Sequence, residues 1–398
     1  MTSRTAWASV FVIAACGDNI TLAPDAQVVD APPPFMEAAH GNVPRLVSGG
    51  GIVLDAPKFK PIFFAGDFPM QTQVEQFGQM LAGSSYWHDT TSEYGVGDIT
   101  LLPTLVTTAA VPATDTDLDA WLIAQLDGTH PTWGSPDQNT IYSVFLPAGA
   151  VLHSTLGDSC QAYGAYHDEL VGAHGEHIVF ALIPRCGSGM NQLVELTSSL
   201  SHELIEAATD PNVETTYAFG NVDDEHAVWG LTPGAETGDF CEYVDSAFQP
   251  LLGTYLVQRT WSNAAASAGH DPCVPQNSTY FSAAPLFTED VMITGFNGQQ
   301  ITKGVQVTIG QPKTIDVALF SDAPTGDFLV EADDLASTFN GGRPELSFSW
   351  DKGFGRNGDT RHLTITRLRT GSFGGSEFVI VARTANATSL MWWSYAAN

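Results

Sequence analysis

His202 and Glu206 stand four residues apart within Ser201-His-Glu-Leu-Ile-Glu-Ala-Ala-Thr-Asp-Pro211. At that spacing on a helix the two side chains lie one above the other, with Glu203 beside them. A neutral imidazole with carboxylates suits a divalent cation, because each donor is deprotonated, or easily so, near neutral pH. A second stretch, Ala235-Glu-Thr-Gly-Asp-Phe-Cys-Glu-Tyr243, carries Glu236 and Asp239 on either side of Thr237-Gly238. A tight turn there can return either carboxylate to the helix; Glu236 is the preferred third ligand, with Asp239 almost level. A coordination position left open would take water, and Glu203 would be the general base for its attack on a peptide carbonyl.

The same helix supplies its own support. Leu193, Leu196, Leu200, Leu204 and Ala207 fall on one face, and Glu195, Ser199, His202 and Glu206 on the opposite one. Thr209-Asp210-Pro211 should end it, since proline breaks the ladder and moves the residue before it out of the α region. The pattern departs from H-E-x-x-H metallopeptidases in one place, where Glu206 replaces the second histidine. That makes the ligand set harder and more anionic, lowering the Lewis acidity of zinc. Zn2+ remains the expected cation, with another divalent ion as the alternative. No CxxC spacing is present to suggest a zinc knuckle.

Upstream, strands and helices alternate. Pro61 to Ala65 reads as a buried strand, and Val74, Phe77, Met80 and Leu81 as a helix ending at Gly83. Asp115 or Thr116 can cap a helix carrying Leu118, Trp121, Leu122 and Leu126. Ile141 to Leu146 and His177 to Pro184 read as further strands. The expected first domain is α/β, with the leucine face of the His202 helix laid on a sheet. After Cys273 helical periodicity stops, and short alternating segments run from Val291 to Trp393 with Gly, Asp and Asn between them. That predicts an all-β sandwich of the immunoglobulin kind. Trp392-Trp393 in it reads as edge packing rather than a sugar platform.

Other chemistry-bearing residues carry less. His174-Gly-Glu-His177, near His167, invites a second metal reading, but loop histidines beside a strand start are the simpler account. His167 or Tyr163 could reach the proposed cleft and stabilise an oxyanion. Ser199 and Ser201 lack an acidic partner for a triad. Asp89 and Glu93 read as a solvated helix face, and Gly49-Gly50-Gly51 is no phosphate loop.

With 398 residues the chain exceeds one ordinary core, so two folded domains plus a leader are expected. Lys and Arg total 15 against 44 Asp and Glu, a formal net charge of −29. Such a surface repels phosphates, which excludes nucleic acid as a partner. Arg4, the apolar run Ala6 to Ala15 and Ile13-Ala-Ala-Cys16 resemble the leader and lipobox of bacterial lipoproteins, with Cys16 as the lipidated residue. Any membrane contact would run through that anchor. Cys160, Cys186, Cys241 and Cys273 form an even set suited to an oxidising compartment. Pairing Cys160 with Cys186 and Cys241 with Cys273 is favoured because each closes a local loop around the proposed site. The expected division is a leader at 1–16, a flexible linker at 17–40, a metal-binding domain at 41–276 and a β-sandwich at 277–398.

Ser201 to Pro211, Glu236-Thr-Gly-Asp-Phe-Cys241, and Tyr255-Leu-Val-Gln-Arg-Thr-Trp-Ser-Asn263 before Cys273 resemble the bacterial relatives of the EXORDIUM (phosphate-induced protein) family. Tyr86-Trp-His-Asp-Thr-Thr91 with Tyr94 is similar to that family's tryptophan, paired-threonine and tyrosine segment. The likeness spans most of residues 60 to 275. It implies an exported protein with a zincin-like domain, and the implied metal motif is complete at His202, Glu203, Glu206, Glu236 and Asp239. The expected function is an envelope-tethered zinc metallopeptidase acting on a peptide or protein. The alternative is a non-catalytic surface protein with a structural ion that binds cell-wall polysaccharide.

Overall fold

The structure, a computed structural model, describes residues 35 to 398 except 188, 190, 252, 254, 276–278, 296, 297, 339–341, 372, 373 and 386. The expected leader with Cys16, and the expected linker up to residue 34, lie outside the described residues. In chain order the first part contains β1 (Lys58–Phe64), α1 (Phe68–Ala82), α2 (Ser85–Thr91), β2 (Thr100–Leu101), β3 (Leu105–Thr107), α3 (Asp115–Gln125), β4 (Thr140–Phe145), β5 (His153–Ser154), β6 (Gly157–Asp158), β7 (Tyr166–Val171), β8 (His177–Ile183) and α4 (Asn191–Thr209). A 3-10 segment Asp224–Gly230, α5 (Asp239–Glu242), β9 (Phe248–Leu251), β10 (Tyr255–Gln258) and α6 (Asn263–Ser267) follow.

β1, β4 and β8 are apolar runs with little polar alternation, as strands covered on both faces require. They lie side by side in a sheet ordered β2-β1-β4-β8-β7, with β3 also on β1. The pairings are parallel except β7 against β8, which is antiparallel. Side-chain alternation divides the core. Phe59, Phe63, Ile141, Phe145 and Val179 meet Val74, Phe77 and Leu81 of α1 and Leu196, Leu200 and Leu204 of α4. Ile62, Tyr142, Val144, Phe180 and Leu182 meet Leu118 and Leu122 of α3 on the other face. Burying each such leucine stabilises the fold by about 1.5–3 kcal/mol. The cap of α3 is Thr114 rather than Asp115 or Thr116: its hydroxyl accepts from the Asp117 amide at 3.1 Å.

The last part contains β11 (Phe281–Pro285), β12 (Glu289–Gly295), β13 (Gly298–Gln306), β14 (Lys313–Ser321), β15 (Phe328–Asp334), α7 (Leu335–Thr338), β16 (Leu346–Trp350), β17 (Phe354–Gly355), β18 (Thr360–Arg367), β19 (Gly375–Arg383) and β20 (Trp392–Ala397). They form the sheets β11-β14-β18-β16 and β12-β13-β20-β19-β15-β17, the second containing one parallel pair, β13 with β20.

The expectation of a zincin-like α/β domain followed by an immunoglobulin-like sandwich is corrected by this architecture. The fold is mixed, built from several sheets, and among the described residues only α1, α3 and α4 exceed ten residues. Met36–Asn398 form one compact unit. One core joins Trp229, Phe240 and Trp261 to Phe378, Trp392 and Trp393, with the Trp229 ring 5.8 Å from Trp261 and 5.9 Å from Trp392. The physical reason lies in residues 222 to 274, whose large aromatics need burial and find it against the C-terminal strands. Periodicity in one helix says which of its faces is apolar, not how many sheets share a core. At the other end the Ala38 amide donates to Asn357 Oδ1 at 2.9 Å and His40 stacks on Phe320 at 3.8 Å, so these linker residues are fixed in place. No helix among the described residues is long and apolar enough to cross a membrane.

Candidate metal centre

α4 carries the first half of the site. Its leucines are buried against the sheet, and His202, Glu203 and Glu206 lie on the side facing β7 and the 236–239 turn. The helix ends where the proline requires. Asp210 closes a last backbone bond to Glu206, and its Oδ1 accepts from the Ala218 amide at 2.6 Å.

The 236–239 turn returns to this face, held by Glu206. Glu206 Oε1 accepts from the amides of Gly238 at 2.8 Å and Asp239 at 3.1 Å, leaving Oε2 2.8 Å from His202 Nε2. Glycine is required at 238 by close approach, since a Cβ there would lie 2.7 Å from His202 Nδ1 and 2.8 Å from Glu206 Oε1. Both candidate third carboxylates arrive, but beside different histidines. Asp239 Oδ1 is 3.6 Å from His202 Nε2, whereas Glu236 Oε1 is 3.6 Å from His167 Nε2.

His167 does reach the cleft, as the sequence allowed, but it arrives among the carboxylates and from a strand rather than a loop. It sits on β7, where Tyr166-His-Asp-Glu-Leu-Val171 alternates and turns His167 and Glu169 inward. That period of two was the available signal. Its Nδ1 is 3.5 Å from Glu203 Oε2 and 3.9 Å from Glu206 Oε2, and its Nε2 faces the Asp210 carbonyl at 3.3 Å. Two groups could therefore hold a cation, His167 with Glu206 and Glu236, and His202 with Glu203 and Glu206.

Gln258, at the end of β10, went unread in the sequence. Its Nε2 donates to the Gly238 carbonyl at 2.7 Å, which turns Oε1 toward His202 Nδ1 at 3.0 Å. Nδ1–H is then the donor, which leaves Nε2, facing Glu206 and Asp239, as the nitrogen that a metal would take in place of its proton. Tyr86 donates to the Gln258 carbonyl, and the Gln258 amide donates to Ser201 Oγ at 3.0 Å. Ser201 thus serves as a brace, not a nucleophile.

Electrostatically the centre is short of positive charge. Among the described residues, no Lys or Arg pairs with Glu203, Glu206, Glu236 or Asp239. Burial, reinforced by neighbouring carboxylates, pushes Glu236 and Asp239 well above the usual carboxylate range. Burial works to lower both imidazoles, yet the acids around them outweigh it and hold His167 and His202 well above the usual histidine value. Glu206 goes the other way, since the nearby His202 overcomes its burial and keeps it below the usual range. Closely packed buried acids facing two imidazoles are stable only with protons or a cation among them, and a divalent ion fits that donor set.

The remaining candidates fall elsewhere. Tyr163 packs in the α3-side core, its hydroxyl on the Leu152 carbonyl, away from the site. His177 Nδ1 is 3.7 Å from Glu169 Oε2, and His174 lies in an exposed turn, as loop histidines would. Glu93 is no free helix face, because its carboxylate accepts from Ser262 Oγ and the amides of Asn263 and Ala264 and so caps α6. Gly49 and Gly51 pair by backbone with Ala218 and Tyr217. Cys160 is bonded to Cys186 and Cys241 to Cys273, the favoured pairs. The second ties α5, which begins at Asp239, to the segment after α6. Two disulfides point to maturation in an oxidising compartment, extracellular or envelope.

No family model matches the chain, and no curated protein matches it. Among solved structures it is similar to the titin M3 domain at 8% identity, covering 28% of this chain and 94% of that one, with a TM-score of 0.16. It is also similar to titin M4 at 11% identity, covering 30% of this chain and 96% of that one, again with a TM-score of 0.16.

Proposed function

We propose that this chain is an exported metal-dependent hydrolase that cleaves peptide bonds, with zinc as its first candidate ion and a lipid on Cys16 as its tether to the bacterial envelope. The observation that carries the reading is the convergence of His167, His202, Glu206, Glu236 and Asp239 around Glu203 with no Lys or Arg in contact among the described residues. A divalent cation there would supply Lewis-acid polarisation of a carbonyl and acidify water at the site. The protein's own groups do the rest. Glu203, held by His167, is the group to take up a proton from attacking water at Oε2. Gln258 keeps the His202 lone pair aimed inward, and the Gly238 and Asp239 amides keep Glu206 ionised. Side-chain exposures of 19% at Asp239 and 23% at Glu236, against 2% at Glu206, give substrate an approach from the turn side. The likeness of the quoted motifs to the EXORDIUM family agrees with export. The test is Glu203→Gln in the full chain, assayed on casein and unfolded protein substrates. Turnover lost with the ion retained supports a hydrolase; an ion retained in a wild type that turns over no substrate supports a surface protein that binds polysaccharide.

A further inference from the structure

We propose that the centre holds two divalent ions bridged by Glu206, one on His202, Glu206 and Asp239 and the other on His167, Glu206 and Glu236. The proposal rests on the metal-centre reading above and extends it. The two imidazoles come from different elements, α4 and β7, and belong to different groups able to hold a cation, His167 with Glu206 and Glu236 and His202 with Glu203 and Glu206, which share only Glu206. Asp239 joins the second set through its 3.6 Å approach to His202 Nε2. Each imidazole has its own second carboxylate, Asp239 Oδ1 at 3.6 Å from His202 Nε2 and Glu236 Oε1 at 3.6 Å from His167 Nε2. Glu206 now faces His167 Nδ1, so the His167 ring must turn to present one nitrogen to both carboxylates. Sequence reasoning had set Glu236 and Asp239 as rivals for one position; the structure gives each a separate histidine.

Glu206 has the geometry of a bridge. Two backbone amides occupy its Oε1, while Oε2 faces both imidazoles, 2.8 Å from His202 Nε2 and 3.9 Å from His167 Nδ1. Charge points the same way. Four carboxylates, Glu203, Glu206, Glu236 and Asp239, lie within contact of an imidazole nitrogen. One divalent ion leaves two of the four charges to be balanced by protons in a site where Glu206 is 2% exposed; two divalent ions balance all four without protons. Ions sharing a carboxylate in this way sit about 3.5–4 Å apart. Glu203, grouped with His202 and Glu206 and 3.5 Å from His167 Nδ1, then stands beside both ions.

The test is metal stoichiometry on the full chain, stripped with chelator and reloaded separately with Zn2+ and Mn2+. Elemental analysis after gel filtration should give two ions per chain, and Mn2+ electron paramagnetic resonance should show an exchange-coupled pair. His167→Ala and His202→Ala should each keep one ion, with folding checked by far-ultraviolet circular dichroism. One ion in the wild type with an uncoupled Mn2+ spectrum overturns the bridge and leaves the hydrolase reading standing. No ion at either loading overturns both. The wild-type measurement decides even if a variant fails to fold.

Discussion

Gln258→Leu isolates the orientation of one ligand from the presence of the site. The substitution keeps side-chain bulk beside His202 but removes the 3.0 Å contact to Nδ1 and the 2.7 Å bond to the Gly238 carbonyl. That carbonyl still accepts from the Cys241 amide at 3.0 Å, so no backbone group is stranded, and the metal-free fold should lose about 1–3 kcal/mol for the His202 Nδ1–H left without a partner. The ion should feel a further effect. Losing the outer partner of a ligating histidine costs about 10–100-fold in metal affinity, or about 1.4–2.7 kcal/mol. Gln258→Glu keeps an acceptor for Nδ1–H but cannot donate to Gly238, so its loss should be smaller. Competition for Zn2+ against a chromophoric chelator measures both, with melting of the metal-free proteins as the control. Zinc affinity in Gln258→Leu within about threefold of wild type, with folding intact, would refute the argument that Gln258 sets the ligand tautomer.

Gly238→Ala should abolish tight metal binding, because its Cβ would press on His202 and Glu206; wild-type affinity in calorimetric titration would contradict this. Burial pushes the Glu377 carboxyl up to about 7. The folded chain then holds that proton more tightly than the unfolded chain, so the stability it contributes is present in acid and lost as pH rises through about 7. Glu377→Gln should remove that slope and be more stable than wild type above it by on the order of 3 kcal/mol. Identical pH slopes in thermal melts would rule this out. Replacing Cys241 and Cys273 together with serine opens a 32-residue separation. That should cost about 3–4 kcal/mol in urea unfolding, and a change below about 1 kcal/mol would show that the link does not constrain the unfolded chain.

What could be read before folding was whatever depends on near neighbours. The α4 face, its stop at Thr209-Asp210-Pro211, the buried runs of β1, β4 and β8, and the C-terminal segments from Val291 to Trp393 are local patterns, and each lies in or beside a helix or strand. The cysteine pairs were legible for the same reason, since each closes a short loop. His167 and Gln258 were not. Each lies on a short strand of mixed character; Asp168 and Glu169 follow His167 directly, but nothing local ties that strand to the α4 helix. The fold class failed because it depends on what covers Trp229, Phe240 and Trp261, a question that spacing cannot answer.

The sequence by itself determined the chemistry on one helix, a histidine and two carboxylates at helical spacing opposite a leucine face, and the turn able to supply more acids. Tertiary structure alone decided that β7 brings a second histidine against them, that Glu236 and Asp239 serve different imidazoles, and that one core joins the site region to the C-terminal sheets. The reason is range. Helical periodicity is written within a few residues, whereas His167, Glu206, Glu236 and Gln258 meet only after chain closures across tens of residues, which local preferences do not encode.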